Sequence, residues 1–166
     1  MSELEKDHIW IIEDDEGCRF VYDQILKKDF EPVYFTTIFS FKSHINQSVK
    51  KQPVLIIADL NLPDGNFLDF LTTYKRSDLG VDTPIIIISS DDDADSLRLC
   101  FKEGVDDYLT KPFRKNELIV KIETILRGKN TFGGTIKAKV SIDGNSIEGL
   151  TTKERKLLEL FLENGD

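Results

Sequence analysis

The chain has 166 residues, 40% of them hydrophobic, and a formal net charge of −8. That length supports one well-buried core with a fragment to spare, and no run of about eighteen apolar residues is present to cross a bilayer. The charge sits in residues 1–128, because residues 129–166 hold six basic and six acidic side chains; an acidic body does not draw polyanions, and the chain lacks the basic footprint of a complete nucleic-acid-binding surface.

The N-terminus, Met1 to Asp7, is polar and acidic, unlike the basic start and apolar run of a signal peptide. Cys18 and Cys100 have neither CxxC nor CxxH spacing and read as reduced thiols of a cytoplasmic protein. His8 and His44 stand alone, which argues against a zinc site.

Apolar runs then alternate with amphipathic stretches. Strands are predicted at His8–Glu13, Pro32–Thr36, Val54–Ala58, Pro84–Ser89 and Val105–Leu109. VLIIA and PIIII are continuously apolar and β-branched, the pattern of parallel strands buried on both faces. Helices are predicted near Glu16–Lys28, Phe39–Lys51, Phe67–Ser77, Ala94–Glu103 and Arg114–Arg127. Five βα units in succession imply an α/β fold with an open, doubly wound parallel sheet. Gly128 to Gly134 reads as a linker. Beyond it, Thr135–Ile142 alternates like a strand, Asp143-Gly144 is a hairpin turn signal, and Thr151-Thr152-Lys153-Glu154 is a capping box opening a helix.

Chemistry in such a sheet belongs at the carboxyl ends of the strands. Glu13-Asp14-Asp15 follows strand one, Asp59-Leu60-Asn61 strand three, Ser89-Ser90-Asp91 strand four, and Thr110-Lys111-Pro112-Phe113 strand five. Clustered carboxylates repel one another, and a divalent cation relieves this. Mg²⁺ needs only one or two carboxylates besides water and phosphate oxygens. That fits Asp15 and Asp59 as direct ligands, with Asp14 direct or through water. Lys111 supplies positive charge for phosphate oxygens, and Ser89 a hydrogen bond. The set suits phosphoryl transfer, which needs mainly positioning and electrostatic stabilisation. Asp59, at the end of the central apolar strand, is the best-placed nucleophile.

The motifs IIEDD, VLIIADLNLPDG, PIIIISS and GVDDYLTKPF resemble the receiver domains of two-component response regulators. The spacing agrees: Ser89 lies 30 and Lys111 lies 52 positions after Asp59. The resemblance implies a flavodoxin-like (βα)5 fold with sheet order 2-1-3-4-5. It implies that Asp59 takes a phosphoryl group from a phosphohistidine of a sensor histidine kinase. Asp14 and Asp15 would bind Mg²⁺ with Asp59 and the backbone carbonyl of Asn61. Ser89 and Tyr108 would form the switch pair, Lys111 would contact the phosphate, and the Lys111–Pro112 bond would be cis. Such a protein is not an enzyme beyond catalysing its own phosphorylation and dephosphorylation. Two residues depart from the family pattern: Phe67 stands where Gly is frequent, and Ser89 replaces the commoner Thr. Asn61 and Asp91 flank the approach of a hydrolytic water, and their short polar side chains favour quick self-dephosphorylation.

Residues 135–166 resemble the start of the winged-helix DNA-binding domain of the OmpR/PhoB class, with the pattern LTxxExxLLxL; the helix-turn-helix class of NarL begins similarly. The domain plan is a receiver over 1–127, a linker over 128–134 and an output fragment over 135–166, with DNA contacted only through the complete parent protein. The winged-helix class implies a homodimer on phosphorylation. Its interface positions here are Leu97, Phe101, Glu103, Asp107, Glu117 and Lys121. They carry both signs, as a self-complementary contact requires. Two rivals are weighed. A haloacid-dehalogenase-type phosphohydrolase requires DxDx(T/V), and Asp59-Leu60-Asn61-Leu62-Pro63 lacks its second Asp. A receiver acting as a protein-protein signalling module without DNA binding stays open.

Overall fold

A computed structural model describes residues 6–47, 51–74 and 82–130. The predicted linker beyond Asn130 and the output fragment lie outside the described residues, as does the end of the third predicted helix at Ser77. Five strands form one parallel sheet: β1 (Asp7–Ile12), β2 (Phe30–Phe35), β3 (Leu55–Ala58), β6 (Ile85–Ser89) and β7 (Asp107–Thr110). Their order is β2-β1-β3-β6-β7, the flavodoxin-like arrangement. The helices are α1 (Glu16–Leu26), α2 (Ile38–Ile45), α3 (Phe67–Thr73), α4 (Ala94–Lys102) and α5 (Lys115–Asn130). A small antiparallel hairpin, β4 (Asn61–Leu62) and β5 (Gly65–Asn66), interrupts the third βα unit. Strands of two residues carry no periodicity to read; the one local signal is Pro63-Asp64-Gly65, whose residue types favour a turn.

Alternation along each strand explains the two layers. Trp10, Ile12, Ile56, Ala58, Ile85 and Ile87 point to one face and meet Phe41 of α2, Phe67, Phe70 and Leu71 of α3, and Cys100 of α4. Ile9, Ile11, Leu55, Ile57, Ile86 and Ile88 point to the other and meet Tyr22, Ile25 and Leu26 of α1 and Leu118 and Ile122 of α5. Every residue of LIIA and IIIIS is buried. Each such isoleucine contributes about 1.5–3 kcal/mol.

The first layer is unusually aromatic. Trp10 meets Phe35, Phe41 and His44 edge-on, at ring separations of 6.0, 6.1 and 5.0 Å. Phe67 stands 6.0 Å from Phe41 and 5.3 Å from Phe70. Its side chain is fully buried, and its N–H donates to the carbonyl of Leu60 at 2.8 Å. The residue that departs from the receiver pattern is therefore a core anchor joining α2 to α3. Cys18 and Cys100 are both free thiols. Among the described residues no helix is long and apolar enough to cross a membrane.

Phe67→Ala removes a buried ring that packs on both Phe41 and Phe70, so it should cost about 3–5 kcal/mol in urea unfolding. Phe20→Ala, at a position 64% exposed, should change stability by no more than about 0.5 kcal/mol. Equal effects would show that the aromatic layer is not the anchor described.

Candidate functional site

The order of the sheet reverses beside β1, which opens a crevice at the carboxyl ends of β1 and β3. Parallel pairing sets Ile12 opposite Ala58, so the next residues, Glu13 and Asp59, emerge side by side. The backbone holds both. Glu13 N–H donates to the carbonyl of Phe35 at 2.9 Å, and Asp59 N–H to that of Ile12 at 3.0 Å. Glu13 is 1% exposed. Lys111 enters from the end of β7, its N–H on the carbonyl of Ser89 at 2.8 Å. Its ammonium lies 2.7 Å from Glu13 Oε2 and 2.7 Å from Asp59 Oδ2. One cation thus bridges two carboxylates from adjacent strand ends.

The electrostatics follow from that bridge. Burial pushes the Glu13 carboxyl above its usual range; Lys111 pulls it down through a hydrogen bond and charge, while Asp59 adds a raising push. Burial works to lower Lys111, and the hydrogen bonds and charges of Asp59 and Glu13 outweigh it, leaving the ammonium raised. Two carboxylates against one ammonium leave a net negative site. The segment carrying Lys111 is braced by Phe113, stacked on Tyr22 at 6.0 Å, and the Lys111–Pro112 peptide is cis.

The neighbouring acids divide their work. Asp14 is exposed, and Arg19 Nη1 donates to the carbonyls of Asp14 at 2.6 Å and Glu13 at 3.0 Å. Asp15 sits differently from the expectation. It is the N-cap of α1, with Oδ1 accepting from Cys18 N–H at 2.7 Å. That bond holds its carboxyl below the usual range. The inner acid beside Asp59 is Glu13, which the motif-based expectation passed over as a ligand. Register could have found it: Glu13 and Asp59 each follow the last apolar residue of neighbouring strands.

Asn61 N–H donates to Asp59 Oδ1 at 3.2 Å, so the β4–β5 hairpin itself orients the Asp59 carboxylate. Ser89 is fully buried, and its Oγ accepts from Asp91 N–H at 3.4 Å. Tyr108 is turned inward, its hydroxyl donating to the carbonyl of Asp91. Burial, then the charge of Asp91, pushes that hydroxyl up to about 12. Of the proposed dimer positions, Lys121 and Asp107 are already paired within the chain at 2.7 Å, and Glu117 Oε2 accepts from Arg114 N–H at 2.7 Å. Leu97 packs on the core, Glu103 caps the end of α4, and Phe101 is exposed.

Among the described residues no three acidic, histidine or cysteine side chains already close on one point. Mg²⁺ does not demand that, because it keeps several waters and accepts one or two carboxylates. The hard oxygens at Glu13, Asp14 and Asp59, on a net negative site, fit it.

The chain matches the response regulator receiver domain family over residues 9–123. It is 32% identical over 164 residues to the cell cycle transcriptional regulator CtrA of Caulobacter vibrioides, covering 92% of this chain and 69% of that protein. It is 32% identical over 126 residues to the phosphate regulon transcriptional regulatory protein PhoB of Pseudomonas aeruginosa, covering 69% of this chain and 55% of that protein. A CheY-like response regulator receiver domain from Methanospirillum hungatei superposes with a TM-score of 0.69 at 22% identity, over 78% of this chain and all of that one, and shares the fold.

Lys111→Met tests the bridge through pH. Glu13 is raised in the folded chain, so its contribution to stability is fully present below its ordinary value of 4.5 and is lost as pH rises through the folded value. Removing Lys111 raises that value further and extends the loss upward. Over the pH window that opens at that ordinary value and runs up through the raised folded value, the melting temperature of the variant should fall increasingly below that of the wild type. A deficit constant across this window contradicts the bridge.

Proposed function

The chain belongs to the response regulator receiver domain family, and from that premise we propose that it is a phosphoryl-accepting switch with Asp59 as the acceptor. The observation that carries this is the Lys111 ammonium 2.7 Å from Asp59 Oδ2 at the end of the central strand. An oxygen of Asp59 attacks the phosphorus of a sensor kinase's phosphohistidine. The phosphorus–nitrogen bond breaks, and the imidazole leaves with the electron pair and takes up a proton. Asp14, Asp59 and the backbone carbonyl of Asn61, with Glu13 beside them in the place first expected of Asp15, would hold Mg²⁺. When bound, the ion neutralises the charge that gathers on the phosphoryl oxygens. Lys111 exchanges its carboxylate partners for a phosphate oxygen. Ser89 Oγ, now an acceptor from Asp91 N–H, turns its own hydrogen to the phosphate. Tyr108, inward and joined to the Asp91 carbonyl, carries the change to the surface of α4 and β7.

The switch works in the cytoplasm and catalyses only its own phosphorylation and dephosphorylation. The output proposed is transcriptional, through a winged-helix DNA-binding domain to which residues 135–166 would belong. Its support is the similarity to CtrA and PhoB, both named as transcriptional regulators. A receiver that steers a protein partner without DNA is the second reading. The same support favours a phosphorylation-dependent homodimer through Leu97, Phe101, Glu103, Asp107, Glu117 and Lys121, for which the Lys121–Asp107 pair must first exchange partners.

Acetyl phosphate with Mg²⁺ should add one phosphoryl group, and Asp59→Asn or EDTA should abolish the labelling. After donor removal, Asn61→Met and Asp91→Arg should slow decay of the label, since both crowd the path of the attacking water. Undiminished labelling of the Asp59→Asn variant contradicts the acceptor assignment; unchanged or faster decay in both of the other variants contradicts the role given to Asn61 and Asp91.

A further inference from the structure

The hairpin that orients Asp59 is fastened at its far end to another helix. Asp64 lies in the turn between β4 and β5. Its Oδ1 accepts from the N–H of Ile38 at 2.9 Å, and its Oδ2 from that of Phe39 at 2.8 Å. These are the first two amides of α2, which an isolated helix leaves without partners. The third helical amide, of Ser40, is taken by Thr37 Oγ1 at 3.0 Å within a capping box. So α2 begins with its own cap plus a second carboxylate that arrives from 25 positions further along the chain. A helix needs the first device; the second ties two elements together.

What it ties is the acceptor loop. Gly65, next to Asp64, has φ of +148°, a conformation L side chains rarely adopt. That conformation lets the turn close so tightly that Leu62 pairs with Gly65 and Asn61 with Asn66. Asn66 Nδ2 also reaches Asn61 Oδ1 at 3.4 Å, and its own Oδ1 caps α3 on Leu68 N–H at 2.8 Å. The near end of the hairpin is Asn61, whose N–H holds Asp59 Oδ1. Between the α2 terminus and the Asp59 carboxylate runs a short path: the Asp64 bonds to α2, the backbone step to Gly65, the hairpin pairs, and the Asn61 N–H on Asp59.

We infer that Asp64 is a positioning residue for phosphoryl acceptance: by clamping the β4–β5 turn to α2 it fixes the Asn61 backbone, and through it the Asp59 carboxylate and the adjacent carbonyl. This rests on Asp59 being the acceptor. Asp64 touches neither the phosphoryl donor nor the ion. Released, the exposed turn moves as a unit and the Asn61 N–H no longer points at Asp59.

The experiment measures Mg²⁺ affinity by calorimetry, the rate of labelling by acetyl phosphate, and thermal stability, in the full chain. Asp64→Ala should weaken Mg²⁺ binding and slow labelling by roughly fivefold each, the weight of one lost helix cap. Thr37→Ala is the control for a merely weakened helix. It removes the cap of α2 and leaves the turn clamped, so it should lower the melting temperature comparably with both other readouts within roughly twofold of wild type. Asp64→Asn separates position from charge. It loses the negative charge but keeps one oxygen acceptor, and should recover at least half of the Asp64→Ala loss on a logarithmic scale. If Asp64→Asn is as impaired as Asp64→Ala, long-range charge is the cause and the positioning role is overturned. It is overturned also if Asp64→Ala binds and labels like wild type, or if Thr37→Ala is equally impaired. A wild type that neither binds Mg²⁺ nor takes label instead overturns the acceptor reading, and this inference with it.

Discussion

The ammonium of Lys111 between Glu13 and Asp59 is the interaction around which the rest of the site is arranged. Two carboxylates side by side at the ends of adjacent strands repel, and burying either without a partner is costly. A cation from a third strand removes both problems. It also sets a demand on the whole sheet, because Lys111 stands 98 residues from Glu13 and 52 from Asp59. Parallel pairing of near-continuous isoleucine runs sets Ile12 beside Ala58, Ala58 beside Ile87 and Ile87 beside Tyr108, so β6 and β7 run two residues past β1 and β3 and bring Lys111 back over Glu13 and Asp59. Burial of the strands is thus what positions the chemistry. A buried pair of this kind adds little net stability after desolvation, which is consistent with a role in poising Asp59 and Lys111 for exchange of partners.

Support comes from side chains that touch backbone rather than one another. Arg19 grips the carbonyls of Glu13 and Asp14. Asp15 fastens the start of α1, and Asn61 N–H steadies Asp59. Phe67 locks the end of the loop that follows Asp59 into the aromatic layer, with its N–H on Leu60 and its ring between Phe41 and Phe70. The loops carry the polar groups of the site, and these contacts hold them to the sheet and its helices. Such anchoring is what precise charge placement requires.

Most of this was readable in the residues. Five apolar strands alternating with amphipathic helices are a strong signal, and each strand lies within about two residues of its expected place at most ends. Asp59, Ser89 and Lys111 fall at strand ends as expected, with Tyr108 inside the last strand, since strand ends are easy to find when the strands are uniformly apolar. Three things were not legible. The hairpin of Asn61–Leu62 with Gly65–Asn66 is too short to leave a pattern. The ion-binding pair expected from Glu13-Asp14-Asp15 is Asp14 and Asp15, because a string of acids does not announce which member starts the helix. Phe67 registers in the sequence only as a departure from Gly, since a sequence motif cannot report that a core aromatic cluster waits for the ring.

Glu13, rather than Asp15, is the acid that shares the site with Asp59 and Lys111. The direct measurement is a Mg²⁺ titration of Glu13→Gln and Asp15→Asn, followed by the fluorescence of Trp10, the single tryptophan of the chain. Asn caps a helix about as well as Asp, so Asp15→Asn should bind within about twofold of wild type. Glu13→Gln should bind about tenfold more weakly, a difference of about 1.4 kcal/mol. The reverse order, with Asp15→Asn impaired and Glu13→Gln unchanged, would contradict the account.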